Sequence, residues 1–149
     1  MDQFDYKILA ALSADGRLSW THLADQVNLS ASACQRRVEA LIKNDVIEKF
    51  TLAINPDALG LSIQALVSVN VERGDTQKAE ELRTWLTQHP RVRSAYMVSG
   101  TIDYMLDVVA TDLEDLARFL DTELLSMPAV RDATSSIVLK PIKPYQSTF

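Results

Sequence analysis

Cysteine is almost missing from this chain. Cys34 is the only one in 149 residues, so an intramolecular disulfide is impossible and a multi-cysteine metal site is excluded. Histidine is nearly as scarce. His22 and His89 lie far apart, with no Cys or carboxylate at zinc-ligand spacing, so neither a metal nor another cofactor is expected. No apolar run approaches the length needed to cross a bilayer, so no membrane association is expected. The N-terminus, MDQFDYKIL, carries acids where a secretory leader carries bases, which points to the cytoplasm. A net positive charge is also lacking. The balance is −5 overall, with six Lys/Arg against seven Asp/Glu over residues 1–50 and nine against thirteen over 51–149. That balance argues against non-specific adhesion to nucleic acid. A local basic face can still bind DNA, because affinity depends on the charges near phosphate.

What is present is an ordinary globular composition, 47% hydrophobic and 23% charged, in a length that suits one domain or two small ones. DYKILAALSADGRLS starts with acids that suit a helix N-terminus, carries Ile8, Leu9 and Leu12 as an apolar stripe, and has Gly16 at the stop position. SWTHLADQV predicts a second helix, with Ser19 as N-cap and Leu23, Ala24 and Val27 inward. After the turn NLS, Ser30 caps a third helix running to about Asn44. On a helical wheel Cys34, Val38, Leu41 and Ile42 form its buried stripe. Arg36 and Lys43 point the opposite way among Ser32, Ala33, Glu39 and Ala40, with Gln35 and Arg37 on the flanks. Small residues at the start let a helix approach groove walls. Arg and Gln can read base edges, and Ser can donate to phosphate. Three short helices in this order, with a tight turn before the third, are those of a helix-turn-helix, and double-stranded DNA is the expected partner. The expected contacts are Ser30, Ser32, Ala33, Gln35, Arg36, Arg37 and Lys43. VIEKFTLAI follows as an extended segment, either a wing or a link, on which Lys49 is expected to be solvated.

NPDALG, within residues 51–60, marks a connection, and the pattern then changes period. Leu61, Ile63, Ala65, Val67, Val69 and Val71 alternate as one face of a strand. DTQKAEELRTWLTQH is helical, with Ala79, Leu82 and Leu86 inward. VRSAYMVSG and DYMLDVVA are strands flanking a tight turn. DLEDLARFLDTELLSM is a helix with Leu113, Leu116, Ala117, Leu120 and Leu124 on one face and its acids in solvent. VRDATSSIVLKPI is the last strand. The order β-α-β-β-α-β is the ferredoxin-like arrangement. The fold class is therefore α+β, with a helix-turn-helix, winged-helix-like domain over 1–50, a linker over 51–60 and a ferredoxin-like domain over 61–149. Two helices cover one sheet face. Met97, Val98, Met105, Leu106, Val108 and Val109 cannot all point toward them, so an apolar face is left for a second copy, and larger assemblies can follow. Trp20 and Trp85 read as packing residues, and Cys34 as a buried, inert thiol.

The chain resembles the Lrp/AsnC, or feast/famine, family of bacterial transcription regulators over essentially its whole length. DGRLS, LADQVNLS and SACQRRVEAL look like that family's helix-turn-helix, and VSGTIDYMLDVVA and SSIVLKPIK like the two signatures of its effector-binding domain. The resemblance implies a DNA-binding homodimer that assembles further, to tetramers or octamers, and an amino acid or related metabolite that shifts assembly or DNA affinity. Two positions depart from the family pattern. Asp45 stands where a glycine usually follows the third helix, so Asn44 or Asp45 must take any left-handed cap. Ala133 and Ser135 stand where the last strand often has two threonines.

SGTID has a physical rationale as the effector site. A glycine in the turn exposes N–H groups that can hold a carboxylate, and Asp103 can pair with an α-ammonium. Ser99, Thr101 and Ser135 offer hydroxyls beside Gly100, while Tyr96, Met97 and Val98 can line a side-chain pocket. The same residues also make an ordinary hairpin turn. Two other functions compete. One is a sirohaem-decarboxylase-like enzyme on the same two-domain build, against which the shortage of histidines and the acidic second domain argue. The other is an architectural DNA-binding protein without effector, which the charge of −1 over residues 1–50 fits poorly.

Overall fold

Asp2 and Asp5 start the first helix by serving each other. The Asp2 carboxylate accepts the N–H groups of Phe4 and Asp5, and the Asp5 carboxylate accepts the N–H of Asp2, a reciprocal capping box. In the computed structural model, which describes residues 1–142, this opens α1 (Gln3–Ala14). Residues 143–149, assigned above to the second domain, lie outside the described residues, as does Lys143 of SSIVLKPIK. Ser19 caps α2 (Trp20–Val27), and Ser30 caps α3 (Ala31–Lys43). Asn28 ends α2 in the left-handed conformation at φ 57°, and Asp45 takes it after α3 at φ 54°. Both are residue types that tolerate it. By packing the chain divides into two units, Met1–Ala53 together with Ile142, and Ile54–Pro141; the first division falls inside the stretch read as a linker, and Ile142 groups with the first unit and not with the second domain as expected.

The first unit buries Ile8, Leu9, Leu23, Ala24, Val27, Cys34, Val38 and Leu41 as one core. Three expectations need correction here, and one alternative is settled. Ile42 is 45% exposed and leaves the stripe, because eight residues at about 100° each turn it about 80° away from Cys34. Trp20 is also exposed, at 43%, and lies outside the core cluster. Gly16 does not make the helix stop. Asp15 does, in extended backbone, with its N–H donating to the Ala11 carbonyl. Residues 48–55 form no strand, so the segment is a link and not a wing.

The second unit is built on β1 (Ile63–Val71), whose alternation buries Ala65, Val67 and Val69 completely on one side. β1 pairs antiparallel with both β3 (Tyr104–Ala110) and β4 (Val130–Ile137), and β2 (Val92–Met97) pairs with β3. The sheet order is β2-β3-β1-β4, the ferredoxin-like order. Helices α4 (Thr76–Gln88) and α5 (Leu113–Arg118) supply Leu82, Leu86 and Leu116 to the core over that face. α5 continues as a π-helical turn, Phe119–Leu124, in which the Leu125 N–H reaches back to the Leu120 carbonyl. Phe119 is fully buried and stacks on Trp85 at 6.0 Å, whereas Leu113 and Ala117, expected inside, are exposed.

Register also corrects the expected apolar face. Cross-strand partners share a face, so Leu106 and Val108, opposite Val67 and Ala65, belong to the core. Only Met105 and Val109 of the six named residues turn to the helix-free face on β3, beside Ser68 and Gln64. Tyr96 lies opposite Met105, and Leu66 opposite Asp107. The face therefore mixes apolar and polar side chains. Among the described residues no helix is long and apolar enough to cross a membrane.

Nor are all the acids of α5 in solvent. Asp115 is buried. Its carboxylate accepts the Thr111 N–H at 3.1 Å, meets Arg91 at 2.6 Å and binds Arg118. The Thr111 N–H above all, then the two guanidinium groups, hold its carboxyl below the usual carboxylate range against the opposing effect of burial. A depressed folded-state value contributes stability that is present above the unfolded value of about 4 and is lost as pH falls through the folded one. Asp115→Asn is expected to cost about 2–3 kcal/mol at pH 7 and to flatten the acid side of the stability curve. Urea melts at pH 7 and pH 3.5 check both. Wild-type and variant curves that stay parallel across that range would remove Asp115 from the acid response.

Candidate functional site

The open face of α3 begins at its cap. Ser30 Oγ accepts the Ala33 N–H at 3.2 Å and lies 3.2 Å from Ser32 Oγ, so Ser30 already has a structural role. Ser32 is exposed and Ala33 half-buried, leaving a low profile over the first turn. Gln35 is exposed, with its amide nitrogen donating to Glu39 Oε1 at 2.9 Å one turn on. Arg36 and Lys43 are exposed, and among the described residues neither makes a hydrogen bond or an ion pair. Their charges stand open on the side opposite Cys34, Val38 and Leu41. Burial pushes the Cys34 thiol up, with Arg37 opposing, so it is not held as thiolate.

Arg37 departs from the expected set. Its guanidinium turns onto α1, where Asp2 and Asp5 hold it, and a cation gripped by two carboxylates is not an open phosphate contact. The sequence carried a sign of this in the acids at positions 2 and 5, one helical turn apart.

At the far end of the second unit the SGTID turn joins β2 to β3. It is a six-residue connection, 98–103, and not the tight turn expected. Gly100 sits at φ 127°, which only glycine adopts without strain. Val98 N–H donates to the Asp103 carbonyl, and Asp103 N–H donates to the Val69 carbonyl, which ties the turn to β1. Among the described residues the N–H groups of 99–102 have no protein acceptor, and Ser99, Gly100 and Thr101 are exposed. Asp103 Oδ2 accepts the Val71 N–H at 2.9 Å, so half of this carboxylate already secures β1. Tyr96 and Met97 are exposed but alternate in direction: Tyr96 is registered with Met105, and Met97 with Tyr104.

Ser135 does not join this group within one chain. It lies opposite Val67 on β4, two rungs inward and on the far side of β1 from the turn. Arg131, which the sequence did not single out, lies nearer. It donates to Asp132 at 2.9 Å, Asp132 accepts from Asn70 at 2.8 Å, and Glu72 and Asp103 lie within its electrostatic reach. The Asn70 hydrogen bond first, then Arg131, keep the Asp132 carboxyl below the usual range. Only the register of β1 with β4 places Arg131 there, so no local pattern could have marked it.

Comparison with known proteins gives this geometry its setting. Residues 1–42 match the AsnC-type helix-turn-helix domain, and residues 64–148 match the Lrp/AsnC ligand binding domain. The proline dehydrogenase transcriptional activator of Rhizobium radiobacter is 33% identical over 96% of this chain and 92% of its own length. The leucine-responsive regulatory protein of Escherichia coli K12 is 30% identical over 96% and 87%. A transcriptional regulator of Neisseria meningitidis, solved as its L-Met complex, superposes with a TM-score of 0.95 at 32% identity, over 100% of this chain and 96% of that one. With both domain types matched in order along nearly the whole chain, this protein belongs to the Lrp/AsnC family of transcription regulators.

Proposed function

We propose that the chain works in the cytoplasm as a homodimer, assembling to tetramers or octamers, that binds operator DNA through α3 and alters its affinity or assembly when an amino acid binds. Residues 1–50 bind DNA, 51–60 link, and 61–149 hold the effector and the partner copies. The observation that carries the reading is the open face of α3, where Arg36 and Lys43 stand unpaired beyond a small first turn. Ser32, Ala33 and Gln35 complete the contact surface, with Gln35 held in place by Glu39. Ser30 serves it as the cap. The leucine-responsive and L-Met-bound relatives support an amino acid as effector. The chemistry of the turn supports the same class: unengaged N–H groups around Gly100 suit a carboxylate, and the second oxygen of Asp103 suits an ammonium. Leu66, Tyr96 and Met105 on the helix-free sheet face support pairing of two copies, which would also bring Ser135 of one copy into reach of another copy's turn. The chain acts by binding and not by catalysis, in keeping with relatives that are named as regulators.

Titration of duplex DNA from upstream of the chain's own gene tests the reading, at two salt concentrations, with and without each amino acid. Arg36→Ala is expected to weaken specific binding by about 1–3 kcal/mol while the oligomer stays intact by light scattering. Unchanged affinity would take α3 out of the reading role. Asp103→Asn is the cleaner probe of the turn than Asp103→Ala, because its amide oxygen can still accept the Val71 N–H. The amino-acid response is expected to disappear with basal DNA affinity retained. A response of wild-type size would place the effector elsewhere.

A further inference from the structure

α3 carries two adjacent arginines, and the structure gives them opposite fates. Arg36 faces outward unpaired. Arg37 Nη1 lies 2.8 Å from Asp5 Oδ1, and Nη2 lies 3.0 Å from Asp2 Oδ2. The guanidinium carbon sits 5.6 Å from the centre of the Phe4 ring. The two carboxylates divide their oxygens between tasks. Asp2 Oδ1 and Asp5 Oδ2 cap α1, while Asp2 Oδ2 and Asp5 Oδ1 hold Arg37. One cluster thus closes the start of α1 and fastens the middle of α3 to it. The Asp5 side chain is 14% exposed, which makes this a partly desolvated pair and not a loose surface contact.

The clasp stands where apolar packing gives out. Beside it a groove of about 570 Å³ opens between α1 and α3, lined by Met1, Asp5, Arg36, Arg37, Ala40 and Val46. The stripe of Cys34, Val38 and Leu41 holds α3 on the core, and of the three only Leu41 reaches this groove. Apolar contact is non-directional, and three residues on one line leave the helix some freedom to roll about its axis. A planar guanidinium bound to two separate carboxylates removes that freedom, since it fixes both the position and the tilt of its own plane. Any roll of α3 swings Arg36, which rims this groove, and Gln35 across the surface, because both project from the same helix. Two carboxylates around one guanidinium also leave a local charge of −1, which disfavours phosphate at Arg37 itself.

We propose that Arg37 is a positioning residue for DNA reading, which sets the roll of α3 through Asp2 and Asp5 and so aims Arg36 and Gln35, without touching DNA. The proposal rests on the DNA-binding reading above. It makes Asp5 a specificity determinant although Asp5 is acidic and lies on α1.

Charge and position separate in the choice of variants. Arg37→Met is expected to lower affinity for the specific duplex about tenfold. Affinity for a mixed-sequence duplex and the salt dependence of specific binding should stay unchanged, since no phosphate contact is lost. Arg37→Lys keeps the charge but cannot span both carboxylates, so it should not rescue. Asp5→Asn decides the sign. Positioning predicts weaker specific binding, as in Arg37→Met, whereas a phosphate-contacting Arg37, freed from its acid, would bind more tightly with a steeper salt dependence. Thermal melts of each variant confirm that binding is measured on folded protein. Full rescue by Arg37→Lys, tighter binding by Asp5→Asn, or wild-type specific affinity in Arg37→Met overturns the proposal while wild-type protein still binds. No specific binding by the wild-type chain overturns the DNA-binding reading and this proposal together.

Discussion

A helix of thirteen residues has room for one buried stripe and one open face, and the first unit depends on how α3 divides the two. Cys34, Val38 and Leu41 hold it on the core of three short helices. None of the three is long enough to be stable alone in water. Each is therefore closed by a side-chain cap: Asp2 for α1, Ser19 for α2 and Ser30 for α3. The left-handed Asn28 makes the sharp reversal that lets α2 and α3 meet over the same core. Because the inward stripe is settled by packing, the outward face is left for other work, and on it Arg36 and Lys43 have no hydrogen-bond or ion-pair partner among the described residues.

β1 plays the corresponding part in the second unit. It pairs on both edges, buries one side completely and carries Gln64, Leu66, Ser68 and Asn70 on the other. The SGTID turn and the start of β4 are both tied to its far end, the first through Val69 and Val71 and the second through Val71 and the Asn70–Asp132 pair. Anything that displaces this end of β1 moves the turn and Arg131 together. At the opposite side of the sheet His89 meets Glu123 at 2.8 Å while its Nδ1 accepts the Arg91 N–H at 3.3 Å. This joins the end of α4 to the π-helical turn and to the approach to β2.

Much of this was legible in the sequence because it is local. Caps announce themselves as Ser or Asp before an apolar period, and Ser19 and Ser30 are where the pattern places them. The alternation of β1 and the order of elements follow from period alone. What was not legible depends on partners distant in sequence. Phe119 lies inward one turn after Leu116 while Leu113 and Ala117 stand outside, because the inward face is set by where Trp85 and the sheet lie. Ile42 lies about 80° round the helix from Cys34, an angle at which the wheel alone does not decide burial, and it is exposed. Leu106 and Val108 could be assigned to a face only once their register with β1 was fixed. Arg37 looked like Arg36 on the wheel. Which of two adjacent arginines faces an acid depends on where α1 lies, and the sequence of α3 does not contain that.

The acidic balance, which first argued against a nucleic-acid partner, is resolved by the same contacts. Over residues 1–50 the acids outnumber the bases by one, yet the charges are not spread evenly. Asp2 and Asp5 are drawn onto Arg37, and Asp15 turns an oxygen to the Arg17 N–H, so each has a structural partner. Glu39 is the one acid on the open face of α3, and its carboxylate accepts from Gln35. Arg36 and Lys43 have no such partner, so their fields reach solvent undiminished by a paired acid. Electrostatic attraction to phosphate decays over a Debye length of about 8 Å at physiological salt. Charges on other faces beyond that distance count for little, and the sign of this one face is decided by which acids are already engaged. A low isoelectric point and a DNA-reading helix are compatible for that reason. The balance also favours selectivity: with acids outnumbering bases over residues 1–50 there is little general attraction to any duplex, and the placement of Arg36 against the right bases must supply the difference.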